Sequence, residues 1–259
     1  MPISQKLLLT VPTPLLGLLI VGSSVLLAFV IIVFIRYIYP HHKPKKENKV
    51  VIILFAAKTL IYALLLTVIL FISWIGFSNT ASDVQKEADS LVELYRSTES
   101  FLPELKDQVR VLLQEYVNSI INDEWKILAR SELSPQTTII ARQIWSIYSH
   151  YSPKTLTEQI FLQESIRKLY EMRESRTKRL LVSETGIYTL LWIVLIIGEI
   201  VTLVSIAFFV EGFKDKLIMA VSFAILVGLI FFTILLFDYP FTGDFVVSAK
   251  PLTRIMAYW

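Results

Sequence analysis

Two ionisable residues, Lys58 and Glu199, interrupt segments that are otherwise almost entirely apolar. A charged group at membrane depth is costly and usually marks a substrate or ion pathway. The second span begins and the third span ends on the same side of the membrane. Lys58 lies about eight residues and Glu199 about eleven residues from that side, so at about 1.5 Å per residue we expect both groups at a similar depth. The pair is therefore a candidate for lining or gating an ion path. Alternatively, Lys58 extends to the polar boundary while Glu199 is neutral or hydrogen-bonded inside a helix bundle.

Four basic residues precede the third apolar segment, namely Arg173, Arg176, Lys178 and Arg179. Such a cluster attracts anions at a pore entrance or binds anionic lipid headgroups. The alternative is that the four basic residues only anchor the chain beside the membrane, which depends on the same electrostatic attraction. The cluster is a candidate site for contact with anions or lipid.

Adjacent carboxylates at Asp123 and Glu124 form a further candidate. Neighbouring residues of a helix point about 100° apart, so these two groups do not converge as an acid/base pair on their own. They would bind a cation or form an ion-attracting ring in an oligomer. The alternative is a salt-bridge network between helices, with Arg96, Arg130 or Arg142 as the partner.

The composition argues against several chemistries. The chain has no cysteine, three histidines and eight glycines, and it carries no recognisable nucleophile–base, zinc or phosphate-loop motif. The adjacent His41 and His42 make a poor chelate alone. We therefore predict no enzyme activity, no cofactor and no metal site. The net charge of only +3 gives no support to a nucleic-acid partner.

The elements that would position these residues are helical. Hydrophobic residues make up 54% of the 259, and four segments reach the length that spans a bilayer: 15–35, 50–74, 187–210 and 217–237. The predicted fold is an all-α membrane protein with a helical soluble domain inserted between the second and third spans. Its parts are a tail (1–14), two spans (15–74), the helical domain (75–186), two further spans (187–237) and a C-terminal turn and tail (238–259).

The region 75–186 carries 14 basic and 16 acidic residues, which suits a solvated folded surface. A helix is predicted from a cap at Ser78 or Asn79 to about Ser100, and another from Pro103. Ser134-Pro135 and Ser152-Pro153 are predicted to begin two more helices, the last of which would run into the third span. An apolar stripe marks the helix after Pro103: Leu105, Val109, Leu112, Tyr116, Ile120 and Leu128.

Four ordered stretches resemble the bacterial bestrophin-like membrane family. The first contains Trp74, Phe77-Ser78, Glu87-Ala88, Leu91 and Leu94-Tyr95-Arg96. The second contains Glu115-Tyr116, Asn122-Asp123-Glu124-Trp125 and Leu128-Ala129-Arg130. The third contains Arg176, Arg179-Leu180, Ser183, Gly186 and Trp192. The fourth runs from Phe237 to Asp244 and closes with Val247-Ser248; it looks like the family's Leu-Asp-x-Pro-Phe-x-Gly signature, with Phe237 in place of the leucine.

In the signature turn, Pro240 would stop the last span and Gly243 would permit an unusual backbone angle. Asp238 would cap or pair with a basic group, and Phe241 belongs to the same turn. The structural interpretation is a rigid turn that returns the tail to the soluble domain; a direct role in transport is the alternative.

The resemblance implies a remote link to bestrophins, which look like pentameric anion channels. The expected function is an oligomeric anion channel or transport-related membrane protein, with the lipid bilayer, further copies of the chain and small inorganic ions as partners. The alternative is a non-conducting scaffold that binds a protein partner. A polar stripe of the kind that lines a pore is only partial: Ser23, Ser24, Thr59, Thr67 and Ser73.

The resemblance also implies a multi-pass protein of the bacterial cytoplasmic membrane with its helical domain in the cytoplasm. Positive charge near the spans favours the opposite orientation, because the two short loops carry seven basic residues and the two tails only three. The four basic residues between Arg173 and Arg179 lie on the domain side, so the numbers of positive charges near the spans are similar on the two sides. The side of the domain stays open from the sequence alone.

Overall fold

The protein is described by a computed structural model covering residues 3–40, 49–184, 186–257 and 259. These residues form helices and loops, with no strand among them, which confirms the all-α prediction. The helices are α1 (Ile3–Thr10), α2 (Thr13–Ile38), α3 (Lys49–Ser97), α4 (Pro103–Ser119), α5 (Trp125–Leu128), α6 (Pro135–His150), α7 (Leu156–Glu184), α8 (Thr189–Phe209), α9 (Phe213–Asp238) and α10 (Lys250–Met256). A 3₁₀ turn follows α3 at Thr98–Ser100, and a π turn joins α4 to α5 at Ile120–Glu124.

Four helices are long and apolar enough to cross a bilayer: Thr13–Ile38, Ile53–Ser100, Thr189–Phe209 and Phe213–Asp238. They overlap the four predicted spans. Only 22% of the most apolar window is buried in each of the first two, and 39% in each of the last two. The remaining apolar surface needs hydrocarbon or another subunit around it. The chain is an integral membrane protein, as predicted.

The chain divides into two compact units. The membrane unit comprises residues 3–76 and 187–238, and the polar unit comprises residues 77–186 and 239–259. The predicted boundaries at 74/75, 186/187 and 237/238 stay predictions of domain organisation. His41, His42 and the lysines up to Lys46 lie outside the described residues.

Small residues bring α2 and α9 together in the membrane unit. Ser24 and Ala28 of α2 are buried, as are Ala220 and Ala224 of α9. At Gly228, an added Cβ would lie 2.8 Å from the Val21 Cα. Close backbone approach through small side chains is the usual way in which helices associate within a membrane.

The core of the polar unit contains the apolar stripe of α4. Leu105, Val109, Tyr116, Ile120 and Leu128 are buried as expected, whereas Leu112 is half-buried. The fully buried neighbour is Leu113. The stripe continues through the π turn, which keeps Leu128 on the same face as Ile120.

Two of the predicted helix starts are confirmed. α4 begins at Pro103, and Ser134 caps α6 by accepting a hydrogen bond from the Thr137 amide at 3.3 Å. The start at Ser152-Pro153 was predicted wrongly, because Thr155 accepts from the Glu158 amide at 3.1 Å and α7 begins at Leu156.

Two further expectations were also wrong. α3 continues through Ser78 and Asn79 without a break, so no helix starts there. α7 ends at Glu184 and does not run into α8, since the described residues Gly186–Tyr188 are not helical. The two predicted tails contain the helices α1 and α10, which are too short to show a clear period in the sequence.

Candidate functional site

A buried ion-pair network lies at the centre of the polar unit. Arg179 of α7 donates from Nε to Glu87 Oε2 at 2.9 Å and from Nη2 to Glu87 Oε1 at 3.1 Å. The same Nη2 donates to Glu124 Oε1 at 2.9 Å. All three side chains are 0% exposed. One guanidinium therefore joins α3, the π turn and α7.

Arg176, one turn earlier in α7, completes the charge balance. Its Nε donates to Glu124 Oε1 at 3.3 Å, and its Nη2 donates to Glu124 Oε2 and, at 3.1 Å, to the Thr138 hydroxyl. Tyr116 donates to Glu87 Oε1 at 3.0 Å. The network has two positive and two negative groups, so it is neutral overall. Charges are tolerated inside a protein when they are paired and hydrogen-bonded, as these are, although Arg179 Nη1 has no hydrogen-bond partner within the described residues.

The surroundings of Arg179 and Tyr116 in the network shift the pKa of both side chains. Burial alone would lower the pKa of the Arg179 guanidinium, but Glu87 and Glu124 outweigh it and hold that pKa above its ordinary value. Burial, followed by the charge of Glu87, raises the pKa of the Tyr116 hydroxyl well above its usual range. Tyr116 thus stays a hydrogen-bond donor to the carboxylate.

Aromatic rings connect the network to the signature turn. The Arg179 guanidinium carbon lies 5.3 Å from the ring centroid of Trp125, within the range of a cation–π interaction. Trp125 in turn meets the Phe241 ring edge to face, at a centroid distance of 5.5 Å. The four stretches that resemble the family each place residues here or in the adjoining turn.

The signature turn is held by backbone geometry. Phe241 is buried, Gly243 has a φ of +92°, and the Val247 amide donates to the Pro240 carbonyl at 2.7 Å. A φ in that range suits glycine because no Cβ clashes with the backbone. Asp238 is the last residue of α9 in the membrane unit, where its Oδ1 accepts from the Ile187 amide at 2.5 Å. It thereby satisfies a backbone donor just ahead of α8, while its Oδ2 has no hydrogen-bond partner within the described residues.

The predicted basic cluster is not a single surface. Arg176 and Arg179 point into the network, whereas Arg173 and Lys178 are exposed. Lys178 pairs with Glu174 at 2.7 Å on the outside of α7. Contact with anions or lipid stays a prediction for the two exposed residues. For Arg176 and Arg179 the contact stays a prediction as well, beside their bonds to Glu124 within the polar unit.

The salt-bridge interpretation of Glu124 is supported, but with different partners. Arg176 and Arg179 take the place of Arg96, Arg130 or Arg142. Sequence reasoning also missed Glu87 as a member of the network. The signal was present, because Glu87 shares its helix face with the buried apolar residues Val84, Ala88 and Leu91.

Lys58 and Glu199 both lie in the membrane unit, but the structure does not join them as an ion pair within the described residues. Lys58 Nζ donates to the Ser205 hydroxyl and lies 5.9 Å from the ring centroid of Phe209. Glu199 is 2% exposed, and its Oε1 has no hydrogen-bond partner in the described part of the chain. Their role in an ion path stays a prediction for each residue separately.

The hydroxyls of the partial polar stripe bond mostly to their own helices. Ser23 donates to the Ile20 carbonyl at 2.7 Å, and Thr67 donates to the Ala63 carbonyl at 2.8 Å. The Thr59 and Ser73 hydroxyls likewise donate to backbone carbonyls one turn earlier in their own helix. The described residues contain no group of three or more His, Cys, Asp or Glu side chains that could hold a metal ion.

Four spanning helices and a polar helical unit built around a neutral ion-pair core define a multi-pass α-helical membrane protein. The chain belongs to the bestrophin-like family, whose domain model matches residues 22–252. This confirms the resemblance seen in the sequence. No curated protein sequence matches the chain.

Solved structures show the same fold. A mutant of a bacterial bestrophin homolog from Klebsiella pneumoniae aligns with a TM-score of 0.65 and 13% identity, covering 93% of this chain and 98% of that one. A second structure of a Klebsiella pneumoniae bestrophin homolog has a TM-score of 0.66 and 11% identity, covering 92% and 95%. At these identities the likeness concerns the fold.

Proposed function

We propose that this protein is an oligomeric ion channel, or a related transport protein, that handles anions. The observation that carries the proposal is the bestrophin-like fold, which extends over nearly the whole chain and belongs to a family whose known members are ion channels. No residue role is transferred, because the identity to the solved homologs is too low. The mechanism would be a pore on the axis of the oligomer, selective through charge and constriction.

Exposed apolar side chains of the polar unit support assembly into oligomers. Leu156 and Ile160 lie one turn apart on α7 and are 74% and 58% exposed, although this unit is otherwise rich in charges. Apolar surface on a polar domain usually marks an interaction site. Further copies of this chain are the proposed occupants.

Substitutions of Lys58 and Glu199 test the proposal, because opposite effects on conductance are expected from the two residues. In an anion path, Lys58 attracts the permeating ion and Glu199 repels it. We therefore expect Lys58→Met to lower chloride conductance and Glu199→Gln to raise it, each several-fold. The measurement is the single-channel conductance and reversal potential of purified protein in a planar bilayer under a chloride gradient.

Two exposed residues provide matched controls: Glu211 in the loop between α8 and α9, and Lys214 in the first turn of α9. Lys214→Met and Glu211→Gln remove the same charges from exposed positions outside the spans' interior, and we expect conductance close to that of the unmodified protein. Absence of any conductance, with the protein folded and oligomeric, would refute the channel and favour the scaffold. Conductance unchanged by both membrane substitutions would remove Lys58 and Glu199 from the path.

We further propose that the protein resides in the bacterial cytoplasmic membrane with its polar unit in the cytoplasm. The support is the bacterial origin of the solved homologs and the resemblance to bestrophins. Positive charges near the spans lie on both sides of the membrane and give no majority.

Because the chain has no cysteine, one introduced thiol reports the side directly. Ser149 is exposed near the end of α6, so Ser149→Cys is expected to leave the fold intact. In intact cells, we expect a membrane-impermeant maleimide to label this variant only after the membrane is permeabilised. Labelling before permeabilisation would place the polar unit outside; Ser4→Cys on the same predicted side serves as a second reporter.

A further inference from the structure

A cleft between α6 and α7 of the polar unit is rich in arginine. Its volume is about 300 Å³, and Arg142, Arg173 and Arg176 all line it. No Asp or Glu is among its lining residues. Its size is at the lower end of the range for small-molecule sites, which is about 300–1,000 Å³.

The charge in this cleft is only partly compensated. Arg176 is bonded to Glu124 and Thr138 at the floor of the cleft. Arg142 and Arg173 lie at the exposed rim, and neither forms an ion pair within the described ranges of the chain. Two free guanidinium groups above a fixed third one present several donors suited to carboxylate or phosphate oxygens.

The remaining walls are apolar and aromatic. Leu169 and Met172 of α7 are buried, and the half-buried Trp145 of α6 is steadied by an edge contact with Tyr170 at a centroid distance of 5.0 Å. An inorganic anion would leave this surface unused. A ligand that carries both an anionic group and a flat apolar group would contact both parts of the cleft.

We propose that this cleft binds an organic anion, in which a phosphate or carboxylate is joined to a small apolar or aromatic group. The anionic group contacts Arg142 and Arg173, while the apolar group packs on Trp145. A soluble small molecule and a lipid headgroup both offer this chemistry. The site is separate from the proposed conduction function, since binding does not require an open pore.

The test is calorimetric titration of the full-length protein in mild detergent with phenyl phosphate, inorganic phosphate and benzyl alcohol. We expect phenyl phosphate to bind in the micromolar to submillimolar range, inorganic phosphate at least about tenfold more weakly, and benzyl alcohol not at all. Arg142→Gln and Arg173→Gln should each weaken phenyl phosphate binding by about tenfold or more. Trp145→Leu should weaken phenyl phosphate while leaving inorganic phosphate nearly unchanged.

The control is Arg254→Gln in α10, which removes an equal charge from an exposed position outside the cleft. Dihexanoyl phosphatidic acid tests whether the natural ligand is a lipid. If it binds more tightly than phenyl phosphate, and if Arg142→Gln abolishes this binding, the result supports the site and identifies a lipid as the ligand. The proposal is overturned if no probe binds at millimolar concentration. It is equally overturned if the two arginine variants bind phenyl phosphate like the control, or if inorganic phosphate binds as well as phenyl phosphate.

Discussion

Arg179→Met is expected to lower the free energy of unfolding by about 3–5 kcal/mol, the usual cost of removing one partner from a buried ion pair. The substitution leaves the Glu87 carboxylate buried without a cation, because Tyr116 would be its remaining side-chain donor in the network. Glu124 keeps Arg176. Most of the loss should therefore arise at Glu87. The midpoint of thermal unfolding in detergent, followed by tryptophan fluorescence, should fall by about 6–20 °C at about 2–4 °C per kcal/mol.

Lys178→Met is the matched control, because Lys178 is the preceding residue and its pair with Glu174 is solvent-exposed. Exposed pairs contribute about 0–1 kcal/mol, so the midpoint should hardly move. Glu87→Gln added to Arg179→Met removes the stranded charge and should restore part of the loss. Equal stability of Arg179→Met and Lys178→Met would show that the buried network does not hold the polar unit together.

Individual residues show what the sequence could predict. The spans were predictable because a window of about 20 apolar residues is a local property that hardly depends on the rest of the fold. The starts of α4 and α6 were predictable because proline and a capping serine act within one turn. The Ser152-Pro153 signal failed because the neighbouring Thr155 competes for the same role.

The partners in the ion-pair network were beyond local reasoning. Arg179 and Glu87 are 92 residues apart, and each polar helix offers several residues of the opposite charge. The π turn adds to the difficulty, since it changes the direction in which Glu124 points relative to an uninterrupted α-helix. The resemblance supplied part of the missing information, because its ordered stretches contain Glu87, Glu124 and Arg179.

The interface between α2 and α9 gives the second large effect. Gly228→Ala adds a Cβ that would lie 2.8 Å from the Val21 Cα, which belongs to the backbone and cannot rotate away. The helices would have to separate and lose dispersion contacts along their small-residue faces. We expect a loss of about 1–3 kcal/mol, and a larger loss for Gly228→Leu. The measurement is unfolding by sodium dodecyl sulfate in mixed micelles, followed by far-ultraviolet circular dichroism.

Gly22 is the control, since it lies on α2, one residue after Val21, and an added Cβ there meets nothing within 4 Å. Gly22→Ala should change stability little, or raise it by up to about 1 kcal/mol through the higher helix propensity of alanine. The effects of the two glycine-to-alanine substitutions on the free energy of unfolding are thus expected to differ in sign, or at least clearly in size, although the same methyl group is added in both. If Gly228→Ala proves as harmless as Gly22→Ala, the close approach of α2 and α9 does not determine the stability of the membrane unit, and its cohesion must come from other helix pairs.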